Sequence, residues 1–338
     1  MLSSLLLAAW GFFPQEVDHV VVVSVDGLRS DALVFAGPEQ LPNFHRLLSG
    51  AFTLNARTDP DAIVTLPNHV GMLTGRLMKG PHGHGWTSNA SELPSNSKIE
   101  DAEGRGIAGM FGVAAIGGVK NILVAGKSKF SLFQQSWPQD LPKAHVRSLD
   151  SLDNLRAFEG ELSDATLQHL NTGGSRTLSF LHYPGPDVAG HSHGWKLQKD
   201  SEYIKAIVGV DKELGRLLEA FDTKREGGYI SAVILTSDHG GGAPHYSHKA
   251  KPGLWVNYII PFAIWRSDGK AKGDLYALNA RTRKEPGIKN PPETSEAMPP
   301  IRNAEAANIA LQLLGLKSIP GSTVNTSQNL HFGIQAQD

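Results

Sequence analysis

The segment His19-Val20-Val21-Val22-Val23-Ser24-Val25 restricts the fold of this chain more than any other stretch. β-Branched residues are stiff at χ1 and favour extended backbone. Apolar side chains at nearly every position leave the strand no face for water. Such a strand must be covered on both sides, as in the centre of a parallel sheet between two layers of helices. The run stops at Asp26-Gly27. Further strands are predicted at Asn121 to Ala125, Thr177 to Tyr183, Ile230 to Thr236 and Tyr258 to Trp265. Between them, helices are predicted at Leu41 to Leu48, with Leu41, Phe44, Leu47 and Leu48 on one side, and at Pro67 to Thr74, where Pro67 suits a first turn. Three more follow at Ser163 to Leu170, Lys199 to Phe221 and Ala304 to Leu314. Strands alternating with helices predict an α/β fold with a central, mainly parallel sheet flanked by helices.

No linker separates two cores and no repeat is visible, so residues 16–338 read as one domain with loop insertions near 90–106 and 271–300. The first insertion is rich in Ser and charged residues. Lys and Arg number 32 against 33 Asp and Glu, a formal charge of −1. That balance lacks the basic surplus needed for a general grip on nucleic acid or an anionic membrane. No run approaches the roughly 20 apolar residues of a membrane span. Leu5 to Phe13 reads as a short apolar h-region, and Ala9-Trp10-Gly11 as a small-x-small cleavage site. Residues 1–15 are therefore expected to be a signal peptide, and the protein extracytoplasmic. Met1 to Ser4 lacks Lys and Arg, and the other reading is an apolar segment packed on the core. Nothing points to a protein partner.

Cysteine is absent, which excludes disulfides, thiolate metal sites and thiol nucleophiles. Any metal must sit on His and carboxylates, and 14 His are present. Three strands of the predicted sheet end near a carboxylate: Asp26, Asp187 and Asp238. Ligands in open α/β sheets bind beyond the carboxyl ends of strands. Asp187 and His191 are four apart, so a helical turn would aim both at one side. Asp238-His239 opens a turn containing Gly240, Gly241 and Gly242, with His245 and His248 close behind. Asp26, Asp187, His191, Asp238, His239 and one later His supply six nitrogen and oxygen ligands. That is enough for two divalent metals with three protein ligands each, an arrangement that leaves open positions for catalysis. Thr65, in Thr65-Leu66-Pro67-Asn68-His69, sits at a predicted helix N-terminus, where an anion is favoured. A metal would make its hydroxyl a competent nucleophile; without one it would be a helix cap.

In order and spacing these segments resemble the alkaline phosphatase superfamily, and within it the type I phosphodiesterase/nucleotide pyrophosphatase group. The matching residues are Asp26-Gly27, Thr65-Leu66-Pro67-Asn68-His69, His84-Gly85 with Asn89, Pro186-Asp187-Val188-Ala189-Gly190-His191-Ser192-His193-Gly194 and Ser237-Asp238-His239-Gly240. Asn257 to Phe262, Ile301-Arg302-Asn303 and Leu313 to Leu316 are also similar, so the resemblance runs over about residues 18–325. It implies an alkaline-phosphatase-like fold and two zinc ions. One would be held by Asp187, His191 and a later His, the other by Asp26, Asp238 and His239 with Thr65. Thr65 would attack phosphorus to give a phospho-threonine enzyme, and Asn89 would donate to a non-bridging phosphate oxygen. The substrate would be a small-molecule phosphate ester, such as a nucleotide or lipid diester.

Two positions depart from that pattern. His248 lies nine before Asn257 and suits the family's spacing better than His245, so His248 is taken as the last ligand. Gly126-Lys127-Ser128-Lys129 follows a strand where some monoesterases of the superfamily carry Lys-x-Arg. Lys129 cannot reproduce the bidentate contacts of Arg, and Lys127 reads either as an extra phosphate ligand or as a solvated turn residue. A phosphomonoesterase on the same site is therefore the alternative activity. A sulfatase would need Cys or Ser first and Arg fifth in the Thr65 motif. A cofactor-independent phosphoglycerate mutase would use Ser and a large inserted domain. A metal-stabilised binding module would need neither Thr65 nor Asn89. Trp86 and the two insertions are candidates for shaping specificity.

Overall fold

A computed structural model describes residues 16–149, 151–251, 253–287 and 297–333. Residues 1–15, read above as a signal peptide, lie outside the described residues. In chain order the elements are β1 (His19–Val25), α1 (Ser30–Gln40), α2 (Pro42–Leu48), β2 (Ala51–Arg57), α3 (Thr65–Thr74), α4 (Met110–Ile116), β3 (Lys120–Ala125), α5 (Ser131–Ser136), β4 (Ala144–Val146), α6 (Leu155–Thr172), β5 (Thr177–Tyr183), α7 (Gly185–His193), α8 (Glu202–Glu226), β6 (Ser231–Thr236), β7 (Ile259–Arg266), β8 (Gly273–Asp274), α9 (Leu275–Leu278) and α10 (Ala306–Leu313).

The eight strands form one sheet in the order β4-β3-β5-β1-β6-β7-β2-β8. β1 lies near its centre and pairs in parallel with β5 and β6. Every residue of β1 is buried, as an apolar run with no polar face demands. Side chains alternate across a strand. Val20 and Val22 accordingly join one core with Leu66 and Val70 of α3, Phe111 of α4 and Ile309 of α10. Val21, Val23 and Val25 join a second core with Leu33 of α1, Phe44 of α2, Leu162 of α6 and Ile207 of α8. The expected α/β architecture, a mainly parallel sheet between helices, is the one observed.

The antiparallel exception is β7, which runs against β6 on one side and β2 on the other. β2 was not anticipated. Its half-buried sequence, Ala51 to Arg57, mixes apolar, hydroxyl and amide side chains and carries no clean alternation. Because two reversals restore direction, β2 ends at the same edge of the sheet as β1, β3, β5 and β6. It thereby delivers the chain to Thr65 and α3. α1 also went unforeseen: Val34 and Phe35 are exposed and Pro38 lies inside it, which blurs its periodicity. The expected Ser163–Leu170 helix is the second half of the longer α6, and the 90–106 insertion is mostly irregular with many exposed residues.

Candidate active site

The carboxyl ends of four parallel strands meet at one edge of the sheet. β1 leads into Asp26, β6 into Asp238-His239, β5 into α7 with Asp187 and His191, and β3 into Lys127. Gly27 makes the closeness of these ends workable. Its φ is +68°, and a Cβ there would lie 3.0 Å from the Asp187 Cα, so a side chain would force β1 and α7 apart. Its N–H donates to Asp238 Oδ1 at 3.1 Å. In the glycine turn, a Cβ on Gly240 would meet the Val256 carbonyl and one on Gly241 the Trp195 ring.

Asp26, Asp187, Asp238 and His239 are all buried. The His239 Nδ1–H donates to the Gly240 carbonyl at 2.7 Å, which leaves Nε2 as a lone pair. That lone pair faces Asp238 Oδ2 at 3.2 Å and Asp26 Oδ1 at 3.6 Å. None of these three atoms has a hydrogen-bond partner. A second group repeats the pattern. His248 Nδ1 donates to the Ile63 carbonyl at 2.6 Å and His191 Nδ1 to the Tyr246 carbonyl at 3.0 Å. Their Nε2 atoms are 3.1 Å apart and lie 3.6 and 3.4 Å from Asp187 Oδ1. His239 stacks on His248 with ring centroids 3.6 Å apart, and its donor atom also falls within 4.8 Å of those of Asp187 and His248. In the first group the facing acceptors are buried and favour a cation between them; in the second, His191 is exposed and its Nε2 is within hydrogen-bond distance of His248 Nε2. Imidazole and carboxylate donors, oriented through their far nitrogens, fit a divalent cation of the zinc kind.

The electrostatics follow from this crowding. Burial pushes His239 down to about 3, with His248 adding to the effect, so its imidazole is neutral. Burial also raises the Asp238 carboxyl well above the usual range, and the Asp26 charge raises it further. Burial would raise Asp26 too, but Lys127 and the hydrogen bond from His182 outweigh it and hold Asp26 low. The Lys127 ammonium lies 2.6 Å from Asp26 Oδ2, 2.7 Å from Asp187 Oδ2 and 3.3 Å from Thr65 Oγ1. Burial opposes its charge, yet Asp187 and Asp26 keep it protonated.

Thr65 is the first residue of α3, and Val64 holds the N-cap position without a side-chain cap bond. Thr65 is therefore not acting as a cap, and its hydroxyl faces the Lys127 ammonium. Asn89 Oδ1 accepts from the Leu66 N–H at 2.9 Å, which brings the amide to the start of the same helix. Thr65, Asn89, Lys127, Lys129, Asp187, His191 and His248 line a common cavity of about 350 Å³. Asp26, Asp238 and His239 lie beneath it. His245 is exposed beside Tyr246 and outside the cluster, whereas His248 is inside. Trp86 is half-buried against the core, donates to the Ser88 carbonyl and does not line the cavity.

The type I phosphodiesterase / nucleotide pyrophosphatase family model matches residues 20–308. The chain belongs to that family. Among curated proteins it is 25% identical over 121 residues to the 2,3-bisphosphoglycerate-independent phosphoglycerate mutase 2 of Methanosarcina barkeri; the match covers 33% of this chain and 21% of that protein. The chain thus aligns with about a fifth of that relative's length. Among solved structures it is similar to the 2-O GAG sulfatase BT1596, with a TM-score of 0.60 and 11% identity, covering 95% of this chain and 76% of that one. It is also similar to the C-terminal periplasmic domain of EcEptC from Escherichia coli in complex with Zn, with a TM-score of 0.56 and 15% identity, covering 91% and 85%. At such identities these likenesses speak for the fold, which is that of the alkaline phosphatase superfamily.

Two buried side chains around this cluster are not among the residues expected from the sequence. His182, in β5, accepts from the Gly126 N–H at 3.3 Å through Nδ1 and so donates through Nε2 to Asp26 at 2.9 Å. The signal available was a histidine near the end of an otherwise apolar strand. His69 closes the Thr65-Leu66-Pro67-Asn68-His69 motif, where nothing in the sequence marks it as a buried brace. Its ring bridges Ser24 Oγ at 2.8 Å and the Thr65 carbonyl at 2.7 Å. It ties β1 to the first turn of α3.

Proposed function

We propose that this protein is a two-metal phosphodiesterase that hydrolyses small phosphate diesters through a phospho-threonine at Thr65. The observation that carries the reading is the buried, partnerless acceptor trio of Asp26, Asp238 and His239, with Asp187, His191 and His248 converging beside it. Asp26, Asp238 and His239 would hold one zinc ion, and Asp187, His191 and His248 the other. Bound there, zinc supplies Lewis-acid stabilisation to the attacking and leaving oxygens. Thr65 Oγ1, its proton lost to solvent, forms the new bond to phosphorus as the ester oxygen departs and takes a proton from solvent; water then attacks phosphorus, breaks the bond to Thr65 Oγ1 and frees the monoester product. Lys127, at 3.3 Å, favours the deprotonated hydroxyl. Asn89 donates through Nδ2 to a non-bridging oxygen, where charge builds in the transition state. The neutral His182 keeps Asp26 aligned by a hydrogen bond to its other oxygen. The apolar stretch Leu5 to Phe13 supports export from the cytoplasm; N-terminal sequencing of the mature protein tests it, and an intact Met1 on exported protein contradicts it.

A second reading, a phosphomonoesterase, is favoured by one observation: Lys127 lines the cavity with its ammonium beside Thr65. A monoester dianion carries one more charge than a diester, and this ammonium could meet it. The test is kcat/KM for bis-p-nitrophenyl phosphate and for p-nitrophenyl phosphate on zinc-loaded protein, with Thr65→Ala as the blank. Diester preference supports the first reading and monoester preference the second. No turnover above the blank contradicts both.

A further inference from the structure

We propose that Lys129 is a positioning residue that locks the Asn89 amide with its NH2 group toward the reaction centre, and that it is not a ligand of the substrate phosphate. The inference rests on the reading above, in which Asn89 Nδ2 donates to the phosphoryl group. Lys129 sits in a single 3₁₀ turn, Ser128–Phe130, directly after β3 and Lys127. Unlike Lys127, it is buried, with 8% of its surface exposed. Its ammonium donates to the Asn89 backbone carbonyl at 2.7 Å and to Asn89 Oδ1 at 3.1 Å. Among the described residues it makes no ion pair within 4.0 Å, whereas Lys127 makes two.

The same Oδ1 accepts from the Leu66 N–H at 2.9 Å. Two donors therefore converge on one oxygen, one from the loop after β3 and one from the first turn of α3. An amide turned the other way would set its NH2 against an ammonium and a backbone N–H, three donors with no acceptor. The orientation is fixed by that mismatch. Nδ2 is left at the opposite corner of the amide, and Asn89 lines the cavity shared with Thr65 and Asp187. An ammonium has three N–H groups, and two of those on Lys129 are committed to Asn89. The carbonyl bond anchors the loop backbone at Asn89, and the Oδ1 bond sets the side-chain torsion. Neighbouring lysines in Lys127-Ser128-Lys129 thus take different tasks. Lys127 reaches the carboxylates and the hydroxyl, while Lys129 holds the donor that faces them.

A double-mutant cycle tests this on the zinc-loaded full chain, with bis-p-nitrophenyl phosphate as the probe. Asn89→Ala should lower kcat/KM by about a hundredfold, the scale of losing one oxyanion donor. Lys129→Met should lose a comparable amount, mainly in kcat, with its thermal midpoint close to wild type. The double variant should be no slower than Asn89→Ala alone, because Lys129 acts only through that amide. Lys129→Gln, which keeps a donor for the same oxygens, should fall between wild type and Lys129→Met. Losses that multiply in the double variant would overturn the proposal and make Lys129 a direct phosphate ligand. An Asn89→Ala variant as fast as wild type would also overturn it. Absence of wild-type turnover would instead overturn the reading of the site on which it rests.

Discussion

Two buried polar regions meet at Asp238, and they are built on opposite principles. On one side is a network around the chain's tail. Arg302 Nη1 donates to the Thr58 carbonyl at 2.9 Å, and Thr58 Oγ1 donates to the Asp238 carbonyl at 2.5 Å. Asn303 Nδ2 reaches the carbonyls of Ser237 and Asp238 and Oδ1 of Asn68. Arg283 forms a two-bond pair with Glu305, at 2.8 and 3.1 Å. None of these side chains contains a buried atom without a partner. On the other side, 3.2 Å beyond the same Asp238, the cage presents Asp26 Oδ1, Asp187 Oδ1, Asp238 Oδ2 and His239 Nε2 with no partner at all. A satisfied network gives a rigid frame. Buried acceptor atoms left without donors, even with Lys127 on the far oxygens of Asp26 and Asp187, are suited to a cation, and the frame keeps them from relaxing toward other donors.

The contrast is sharpest at Thr65, which belongs to the cage side. Thr65→Ala should reduce diester turnover by about a thousandfold or more while metal content and thermal midpoint stay near wild type. A variant that keeps its activity removes Thr65 from the reaction. Next in size is a paired comparison across Asp238. Glu305→Ala leaves Arg283 buried without its partner and should cost about 3 kcal/mol in denaturant unfolding, with or without metal. Asp238→Asn relieves crowded carboxylates, so the metal-free protein should be no less stable than wild type, yet it should lose bound metal. Equal destabilisation by both would erase the distinction between frame and cage.

A smaller effect separates the two late histidines. His248→Ala should lower metal occupancy measured by atomic emission, and exposed His245→Ala should not; the reverse would exchange them. The least effect concerns Glu159, a buried carboxyl on α6 that belongs to neither region. Burial raises it well above the glutamate range; the Gly185 N–H opposes only part of this, and Glu213 adds to the rise. The unfolded chain ionises this group first and so binds fewer protons. Its contribution to stability therefore falls as pH rises from the ordinary glutamate range toward the raised value. Glu159→Gln should gain on wild type in thermal midpoint as pH rises above the ordinary glutamate range, and a difference that stays constant with pH contradicts the assignment.

What could be read from the amino-acid order depended on how local the cause was. The valine run of β1 has one physical solution, and so the centre of the sheet was legible. The cage residues stood at strand ends in short motifs, which is why Asp26, Asp187, Asp238 and His239 could be picked out before their distances were known. β2 was illegible because its burial comes from β7, far along the chain, and its own pattern is mixed. His182 was missed for the same reason: its partner Asp26 is 156 residues away. Lys127 and Lys129 looked alike as two lysines in a turn. Only the fold separates them, sending one ammonium to Asp26 and Asp187 and the other to Asn89.

The most direct test of the cage is the number of zinc ions retained per chain after dialysis, measured side by side for wild type, Asp238→Asn and Asp187→Asn. Two adjoining sets of three His and Asp ligands predict about two zinc ions in wild type and a clear loss in each variant. Wild-type protein that retains none, or variants that retain as much as wild type, would contradict the account.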